Sequence, residues 1–215
     1  MNSSAKTIAI FGSSGMEREA GDIAHAVGLE PLYIVRDDEL NDPLNDGLFV
    51  ISEDDVLQYS HLPFLIGIAN VQVRAAIAAR YDGKLQFTSL IHPSATFGHQ
   101  QRQEIETSKG VIVAAGVRFT NKISVGDHCI FNQNVTVAHD CIISDFVHIA
   151  PGANVSGNVT IKSGAWIGAG AVINQGDAQK PLQIGENAII GSGAVVTSDC
   201  EANKTYIGVP ARRLK

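Results

Sequence analysis

From Val113 to Ile173, every sixth residue of the chain is aliphatic or Phe. These eleven positions are Val113, Phe119, Val125, Phe131, Val137, Ile143, Ile149, Val155, Ile161, Ile167 and Ile173. A period of six fits neither an amphipathic helix nor an alternating strand, but it fits a prism of short parallel strands joined by tight corners. The pattern therefore predicts a parallel β-helix of hexapeptide repeats, in which three six-residue sides make a coil of about 18 residues.

The predicted coil determines which residues are neighbours. Residues 18 apart stack in adjacent coils about 4.8 Å apart, so both can contact one small ligand. A second register of small or aliphatic residues lies two positions before the first, and we interpret both registers as interior. Small or polar residues, with Lys162 as an exception, follow the first register by one position, where we expect the corners.

The repeat is interrupted twice. Residues 99–109 are polar and out of pattern, which predicts a loop that protrudes from the prism. The repeat stops again after Ile173 and resumes at Ile184, 11 residues later rather than 12, so a second loop is expected over residues 174–183.

A different pattern precedes the repeat. Strands and helices are predicted to alternate over Thr7–Phe11, Glu17–Val27, Pro31–Arg36, Phe64–Ala69 and Val71–Tyr81. This alternation indicates a small Rossmann-like α/β unit with a parallel sheet, whose ligands lie beyond the carboxyl ends of the strands. We therefore divide the chain into an α/β domain over residues 1–88 and a β-helix over residues 89–215.

Three polar segments follow the predicted strands, namely Gly12–Met16, Asp37–Asp38 and Ala69–Asn70. The first has only Gly12 and Gly15, so it lacks the Gly-x-Gly-x-x-Gly fingerprint of a dinucleotide site and a redox cofactor is not expected. An ordinary strand-to-helix turn without a ligand stays open as the alternative.

Composition limits the class of partner. The 215-residue chain has a net charge of −6 and no dense run of Lys or Arg, so we expect a small-molecule partner rather than a nucleic acid or a membrane. Because no apolar run is long enough to span a bilayer and the first residues resemble a strand and loop rather than a signal peptide, we expect a cytoplasmic protein. Three cysteines indicate no disulfide framework, and we interpret them as core residues.

His139 is the strongest candidate for chemistry. It lies two positions after interior Val137, at an outward-facing corner, and directly before Asp140. A neighbouring carboxylate can fix the tautomer of a His and stabilise its imidazolium, as a general base requires. Eighteen residues further on, Gly157 could bring a bare backbone N–H to a substrate carbonyl and stabilise an oxyanion. Together these residues predict acyl transfer.

His148 is half a coil from His139, so one chain cannot easily bring the two together. In a cyclic trimer, His148 of one subunit could lie beside His139 of the next. The alternative is a surface His that caps a corner. Because His128, His139 and His148 lie on different sides of the predicted prism, they cannot converge at the roughly 2 Å that zinc requires, and we predict no metal.

Four segments are similar to the sugar acetyltransferases of the NeuD/PglD type: Gly12–Glu19, Asn132–Cys141, Gly164–Ala171 and Ile207–Arg212. The resemblance spans nearly the whole chain. It implies a left-handed β-helix, a homotrimer, and acetylation of the amino group of a nucleotide-linked sugar by acetyl-CoA, in polysaccharide or O-antigen biosynthesis. A 4-amino-4,6-dideoxy sugar on UDP, GDP or dTDP is the acceptor that the resemblance suggests.

The resemblance also implies roles for individual residues. His139 resembles the general base, and Asp140 resembles the acid that assists it, where many members have Glu. Positions that line acetyl-CoA match His148, Gly157, Ala169, Gly191 and Ser192. Positions that hold the nucleotide sugar match Ser14, Gly15, Met16, Asp37, Asp38 and Ala69, and Asn132 resembles a residue near the acceptor sugar.

Met16-Glu17 departs from the family, which usually has His-Gly there. Met cannot donate a hydrogen bond to a sugar or phosphate, so we expect an acceptor other than the bacillosamine type. The amine is expected to attack acetyl-CoA directly, because no Ser or Cys is placed to form an acyl-enzyme. Alternatives are an O-acetyltransferase that acts on a hydroxyl of a sugar or sialic acid, and a non-catalytic trimeric scaffold that binds a ligand.

Overall fold

The computed structural model describes residues 6–177 and 179–214. Residues 1–5, which belong to the predicted α/β domain, lie outside the described residues, as do Ala178 in the second predicted loop and Lys215.

The first part of the chain forms a five-stranded parallel sheet flanked by two helices. Its elements are β1 (Lys6–Phe11), α1 (Gly15–Ala26), β2 (Leu29–Val35), β3 (Val50–Ser52), β4 (Pro63–Ile66), α2 (Val71–Arg80) and β5 (Gln86–Phe87), with 3-10 turns at Asp37–Glu39, Pro43–Asn45 and Glu53–Tyr59. The strand order is β3-β2-β1-β4-β5, so β1 lies at the centre. Its apolar run Ile8–Phe11 is buried, as expected for a parallel strand covered on both faces. The predicted strands and helices are confirmed, with ends shifted by one to three residues.

The second part is a parallel β-helix with three faces. Its strands, in chain order, are β6 (Leu90–Ile91), β7 (Thr96–Phe97), β8 (Ile112–Val113), β9 (Arg118–Phe119), β10 (Ser124–Val125), β11 (Ile130–Phe131), β12 (Thr136–Val137), β13 (Ile142–Ile143), β14 (His148–Ile149), β15 (Asn154–Val155), β16 (Val159–Ile161), β17 (Trp166–Ile167), β18 (Val172–Ile173), β19 (Leu182–Ile184), β20 (Ile189–Ile190), β21 (Val195–Val196), β22 (Thr205–Ile207) and β23 (Arg212–Arg213). Apart from the antiparallel β22–β23 pair, neighbouring strands are parallel.

Three sheets form the faces of the prism. The first face has eight strands in the order β23-β22-β20-β17-β14-β11-β8-β6, the second has the order β21-β18-β15-β12-β9-β7, and the third has the order β10-β13-β16-β19. Val137 pairs with Phe119 on one side and Val155 on the other, each 18 residues away, which confirms the predicted stacking. We call the turns from first to second face the first corner, from second to third the second corner, and from third back to first the third corner.

Each corner contains a residue with a left-handed backbone, three positions after the interior residue. These residues are Gly116, Lys122, His128, Asn134, Asp140, Phe146, Gly152, Asn158, Gly164 and Gly170, all with φ between 55° and 73°. The small residues that we expected to make the corners lie two positions earlier. Gly adopts this conformation without a steric cost, and Asn and Asp tolerate it better than most residues.

The interior of the prism is apolar throughout. Both predicted registers are buried and form one continuous cluster, which includes Cys129, Cys141 and Cys200. Burial raises the pKa of the Cys129 thiol to about 12 and that of Cys141 to about 11. The prediction that these cysteines are core residues is therefore confirmed.

The prediction of a protruding loop over residues 99–109 is wrong. Helix α3 (Gln101–Thr107) replaces the third-face strand of the first coil and closes the end of the prism. Ile105 is buried in the interior cluster. The buried Gln101 side chain donates to Ile123 O (2.6 Å) and accepts from Ile123 N (2.9 Å), so it makes the bonds that an adjacent strand would make.

The second interruption follows Ile173, as predicted, and ends one residue earlier than expected, at β19. Gly176 N–H donates to Gly157 O (3.1 Å), so this segment leaves the prism at the second corner, directly after the coil that contains Gly157. The first interruption begins at that corner too, where Gly98 N–H bonds to Thr120 O. Both interruptions therefore lie on one edge of the prism.

The α/β unit packs against the first face. Ile8, Ile10 and Ile23 form a cluster with the outward-facing residues Ile112 and Ile130 of that face. The second corner, which joins the other two faces, is not part of this cluster.

Candidate active site

His139 and Asp140 lie at the second corner, between β12 and β13. His139 Nδ1 is 2.8 Å from Asp140 Oδ2, and both side chains are about half exposed. The carboxylate therefore holds the proton of a neutral imidazole on Nδ1 and leaves Nε2 free to accept another. The left-handed backbone of Asp140, with φ of 59°, turns its side chain back toward the preceding His. The predicted His–carboxylate pair is present.

Gly157 lies directly below His139, as the 18-residue coil predicts. A Cβ built on Gly157 would be only 2.6 Å from His139 Cε1 and 2.8 Å from Nε2. The imidazole therefore rests on the bare backbone of Gly157, and no other residue type fits there without moving the ring. In the described part of the chain the Gly157 N–H has no hydrogen-bond partner, so it is available to a ligand.

A cleft of about 660 Å³ lies one coil before His139, at the same corner. Asp140 N–H donates to Asn121 O (3.3 Å), which places the cleft next to the His139–Asp140 pair. Its lining is polar and includes His99, Gln101, Glu104, Asn121 and Lys122. The cleft offers both donors and acceptors of hydrogen bonds, as a hydroxyl-rich ligand requires.

Several residues that the resemblance assigned to acetyl-CoA lie at a different corner. Ala169 follows β17, and Gly191 and Ser192 follow β20, so all three belong to the first corner. Gly193 N–H donates to Ala169 O (2.8 Å), which stacks these turns on one another. Ala169 and Ser192 are exposed. One chain therefore presents two separate rows of candidate residues, with His139 and Gly157 in the second corner and these three in the first.

The expectation that His148 lies on an accessible surface is wrong. The His148 side chain points outward from the first face, but the α/β unit covers this face and the residue is only 2% exposed. Its ring stacks on Trp166, with ring centroids 3.9 Å apart, and its Nε2 lies 3.1 Å from Asn132 Nδ2. Burial lowers its pKa to about 3, so it is neutral at neutral pH. Contact of His148 with acetyl-CoA stays a prediction.

Asn132 lies at the first corner and is also buried, at 5% exposure. Asn132 Oδ1 and His148 Nδ1 are buried without a hydrogen-bond partner in the described residues. Buried polar atoms of this kind usually have a partner. The Asn132–His148 pair thus has unused hydrogen-bonding capacity, although its place near the acceptor sugar stays a prediction.

The first glycine loop is filled by a side chain of its own helix. Ser14 Oγ donates to Glu17 Oε2 (2.7 Å), and Glu17 is buried at 5% exposure. A Cβ on Gly12 would be 2.6 Å from Glu17 Oε1. The carboxylate therefore lies at the N-terminus of α1, where a helix otherwise favours a phosphate. Met16 packs against the apolar cluster between the two units, and Gly15 is exposed.

Asp37 and Asp38 follow β2 and are exposed at the carboxyl edge of the sheet. A cleft of about 570 Å³ opens there, lined by Gly12, Arg36, Glu53, Ile68, Arg80 and other residues. A smaller cleft of about 380 Å³ includes Asp37. Ala69 is half-buried and lies beyond the end of β4. The segments that were predicted to hold the nucleotide sugar thus meet at one edge of the sheet.

Sequence reasoning missed Arg74, which joins the two units. It is fully buried in α2 and donates to His128 O (2.9 Å) and Phe146 O (2.8 Å) in the prism. The signal was its position three and four residues before Ile77 and Ala78, on the buried face of the helix.

Two general features were also checked. Among residues 6–177 and 179–214, no three His, Cys, Asp or Glu side chains are grouped so that they could hold a metal ion. Within the same residues, every helix is too short or too polar to cross a bilayer.

Comparison with known proteins gives a consistent result. No family model matches the chain, and neither does any curated protein. Its structure is similar to that of WeeI from Acinetobacter baumannii AYE, with 31% identity, a TM-score of 0.84, and coverage of 97% of this chain and 100% of that chain. The acetyltransferase domain of PglB from Neisseria gonorrhoeae FA1090, in complex with acetyl coenzyme A, is 27% identical with a TM-score of 0.83 and coverage of 97% and 99%.

PerB from Caulobacter crescentus, in complex with CoA and GDP-perosamine, is 25% identical with a TM-score of 0.81 and coverage of 97% of both chains. These similarities extend over both the α/β unit and the β-helix. The chain belongs to the NeuD/PglD-type sugar N-acetyltransferases, which are acetyl-CoA-dependent enzymes.

Proposed function

We propose that this enzyme acetylates the amino group of a nucleotide-linked amino sugar, with His139 as the general base, in a site shared by two chains. The observation that carries the proposal is the His139–Asp140 pair resting on Gly157, on an exposed corner of the prism. A half-exposed imidazole with a carboxylate on Nδ1 is arranged to take a proton through Nε2.

The mechanism needs no covalent intermediate with the enzyme. The sugar amine attacks the thioester carbonyl of acetyl-CoA, so a C–N bond forms and the C–S bond breaks. His139 takes the proton that the nitrogen loses and passes it to the departing thiolate of CoA. The Gly157 N–H would donate to the carbonyl oxygen while it carries negative charge. The cysteines do not act as nucleophiles in this mechanism, since all three are buried.

The arrangement of the candidate residues supports a site between two chains. In one chain the α/β unit covers the first face, whereas His139 lies at the corner between the other two faces. The acceptor that this unit holds is therefore presented to His139 of a neighbouring chain. A homotrimer of left-handed prisms would place the second corner of one chain beside the first corner of the next, where Ala169, Gly191 and Ser192 would complete the acetyl-CoA site.

The identity of the acceptor follows from the comparisons and from the loop around Glu17. PerB was solved with GDP-perosamine, which favours an amine over the hydroxyl of the O-acetyltransferase alternative. The buried Glu17 carboxylate occupies the N-terminus of α1. We therefore expect the diphosphate to lie nearer Arg36 and Arg80, which line the adjacent cleft.

A panel of amino sugars tests this function. UDP-, GDP- and dTDP-linked 4-amino-4,6-dideoxy sugars are incubated with acetyl-CoA, and the release of free thiol is followed. His139→Ala should lower kcat by about 10²–10⁴-fold with a smaller effect on KM. The matched control is His25→Ala, which changes an exposed His of α1.

Three outcomes would contradict the proposal. A loss of less than about threefold in His139→Ala would remove this residue from the role of base. Turnover of hydroxyl acceptors alone would identify an O-acetyltransferase. Binding of acetyl-CoA without turnover of any amino sugar would favour a ligand-binding scaffold.

A further inference from the structure

Arg74 is a charged side chain in the interior between the two units. It is 0% exposed, and within the described residues it forms no salt bridge. All its hydrogen bonds go to main-chain carbonyls. Nε donates to His128 O (2.9 Å), Nη2 to Phe146 O (2.8 Å), and Nη1 to Ile68 O (2.7 Å) and Ala69 O (2.8 Å).

Packing alone does not account for this residue. Burial lowers the pKa of Arg74 to about 10, so the guanidinium stays charged at neutral pH. A buried charge loses its hydration, and an apolar side chain of similar volume usually packs at least as well. The planar guanidinium offers what an apolar side chain cannot, namely five donors in a fixed geometry.

The four carbonyls belong to three separate segments. Ile68 and Ala69 lie in the loop after β4, at the edge of the sheet where the nucleotide-sugar residues meet. His128 and Phe146 are 18 residues apart in the third corner of the prism. The same loop is fixed from its other end, because Asn70 Oδ1 caps α2 by accepting from Val73 N–H (3.0 Å).

We propose that Arg74 is a positioning residue for the acceptor: it fixes the loop of residues 68–70 against the prism and so sets where the sugar amine is presented. The inference rests on the proposed function. Because Arg74 occupies the carbonyls of Ile68 and Ala69, the acceptor meets the N–H groups and side chains of this loop. An error of about 1 Å in such a loop can cost up to 10²-fold in rate.

Two substitutions and a matched control test the proposal kinetically. Arg74→Met keeps the length of the side chain but removes all donors, whereas Arg74→Lys keeps the charge but not the planar geometry. Ile112→Val is the control, because it trims the same interface between the units without touching the loop. All are assayed with acetyl-CoA and the amino sugar turned over by wild type, well below their melting temperatures.

We expect Arg74→Met to raise KM for the nucleotide sugar by about tenfold or more and to lower kcat, with KM for acetyl-CoA changed by less than about twofold. Arg74→Lys should recover part of this loss, and Ile112→Val should leave both KM values unchanged. Equal changes in the two KM values, or kinetics of Arg74→Met like those of Ile112→Val, would show that Arg74 serves only stability.

Hydrogen exchange of residues 67–72 gives a second readout that needs no substrate. These amides should exchange faster in Arg74→Met than in Ile112→Val, while amides in the centre of the prism stay protected in both. Equal exchange in this segment would overturn the proposal. If wild type turns over no amino sugar, the proposed function fails, but the exchange result still decides whether Arg74 holds the loop.

Discussion

The placement of His139 depends on a side chain that is missing from its neighbour. Gly157→Ala would bring a methyl group to within 2.6 Å of His139 Cε1, so the ring must move away from the corner. We expect kcat to fall by about tenfold or more, since a displaced base transfers protons poorly. Steady-state kinetics of the single variant, with the unfolding temperature measured alongside, provides the test.

A double-mutant cycle provides the control. In a His139→Ala background the ring is absent, so Gly157→Ala should cost almost nothing further. If the two losses multiply instead, Gly157 acts independently of the His139 ring, for example through its N–H.

Two buried histidines make stability depend on pH. Burial lowers the pKa of His128 to about 4 and that of His148 to about 3. The unfolded chain, with an ordinary His pKa of about 6.5, therefore binds protons more readily than the folded protein. Their effect on the free energy of unfolding is negligible above about pH 6.5, and each His lowers it by about 1.4 kcal/mol per pH unit below that until its folded-state pKa is reached.

Urea unfolding at several values of pH between 7.5 and 5 measures this effect. Wild type should lose about 4 kcal/mol between pH 6.5 and 5, and His148→Phe, which keeps an aromatic ring on Trp166, should lose about half of that. Equal losses in the two proteins would mean that His148 is not protonated on unfolding in this range.

At this scale the sequence predicted neighbours within the repeat better than contacts between the two units. His139 and Gly157 were predicted to meet because a coil has a fixed length. The burial of His148 and the bonds of Arg74 depend on how the α/β unit docks on the first face, and no periodicity encodes that docking. Trp166 at His148 plus 18 did indicate an aromatic neighbour for that ring, but not its cover.

Among the elements, α3 shows how a helix can close a β-helix. Gln101 supplies one donor and one acceptor to Ile123, whose main chain would otherwise lack partners at the end of the third face. Gln101→Ala should therefore lower the free energy of unfolding by about 2–4 kcal/mol, as expected when two buried polar groups lose their partners. Chemical denaturation measures the change.

Gln103→Ala is the matched control, because Gln103 is exposed in the same helix. It should change the free energy of unfolding by less than about 0.5 kcal/mol. Equal effects of the two variants would show that the end of the prism does not depend on the Gln101 amide.

The elements themselves were largely predictable. Parallel strands buried on both sides produced the repeat of six and the α/β alternation, so strand positions followed from hydrophobicity. Helix α3 did not, since its polar residues contact the prism through only Gln101 and Ile105 among its buried side chains. Seven residues with two inward positions are too few to show a helical period.

For the whole molecule, mixing of inactive chains tests whether the site is shared. His139→Ala removes the base from the second corner, and Ala169→Trp blocks the exposed first corner where acetyl-CoA is expected. Each variant alone should be inactive or nearly so. After subunit exchange at equal amounts, roughly one quarter of the sites would combine an intact second corner with an open first corner, so about a quarter of wild-type activity should return.

Two measurements make the result decisive. Light scattering establishes that the wild-type chain forms a closed oligomer, and native mass spectrometry of size-tagged chains establishes that the subunits have exchanged. If exchange is complete and no activity returns, the site lies within one chain.

The two interruptions on one edge of the prism bear on how such an enzyme can be redesigned. Strands on either side of each interruption stay in register, as the pairing of β16 with β19 shows across the second. Segments of other lengths and compositions could therefore be grafted at these two points while the coils, the docked α/β unit and the first corner keep their positions. The second corner thus works as an exchangeable rim around a constant base, and new acceptors can be sought by building libraries in residues 99–109 alone.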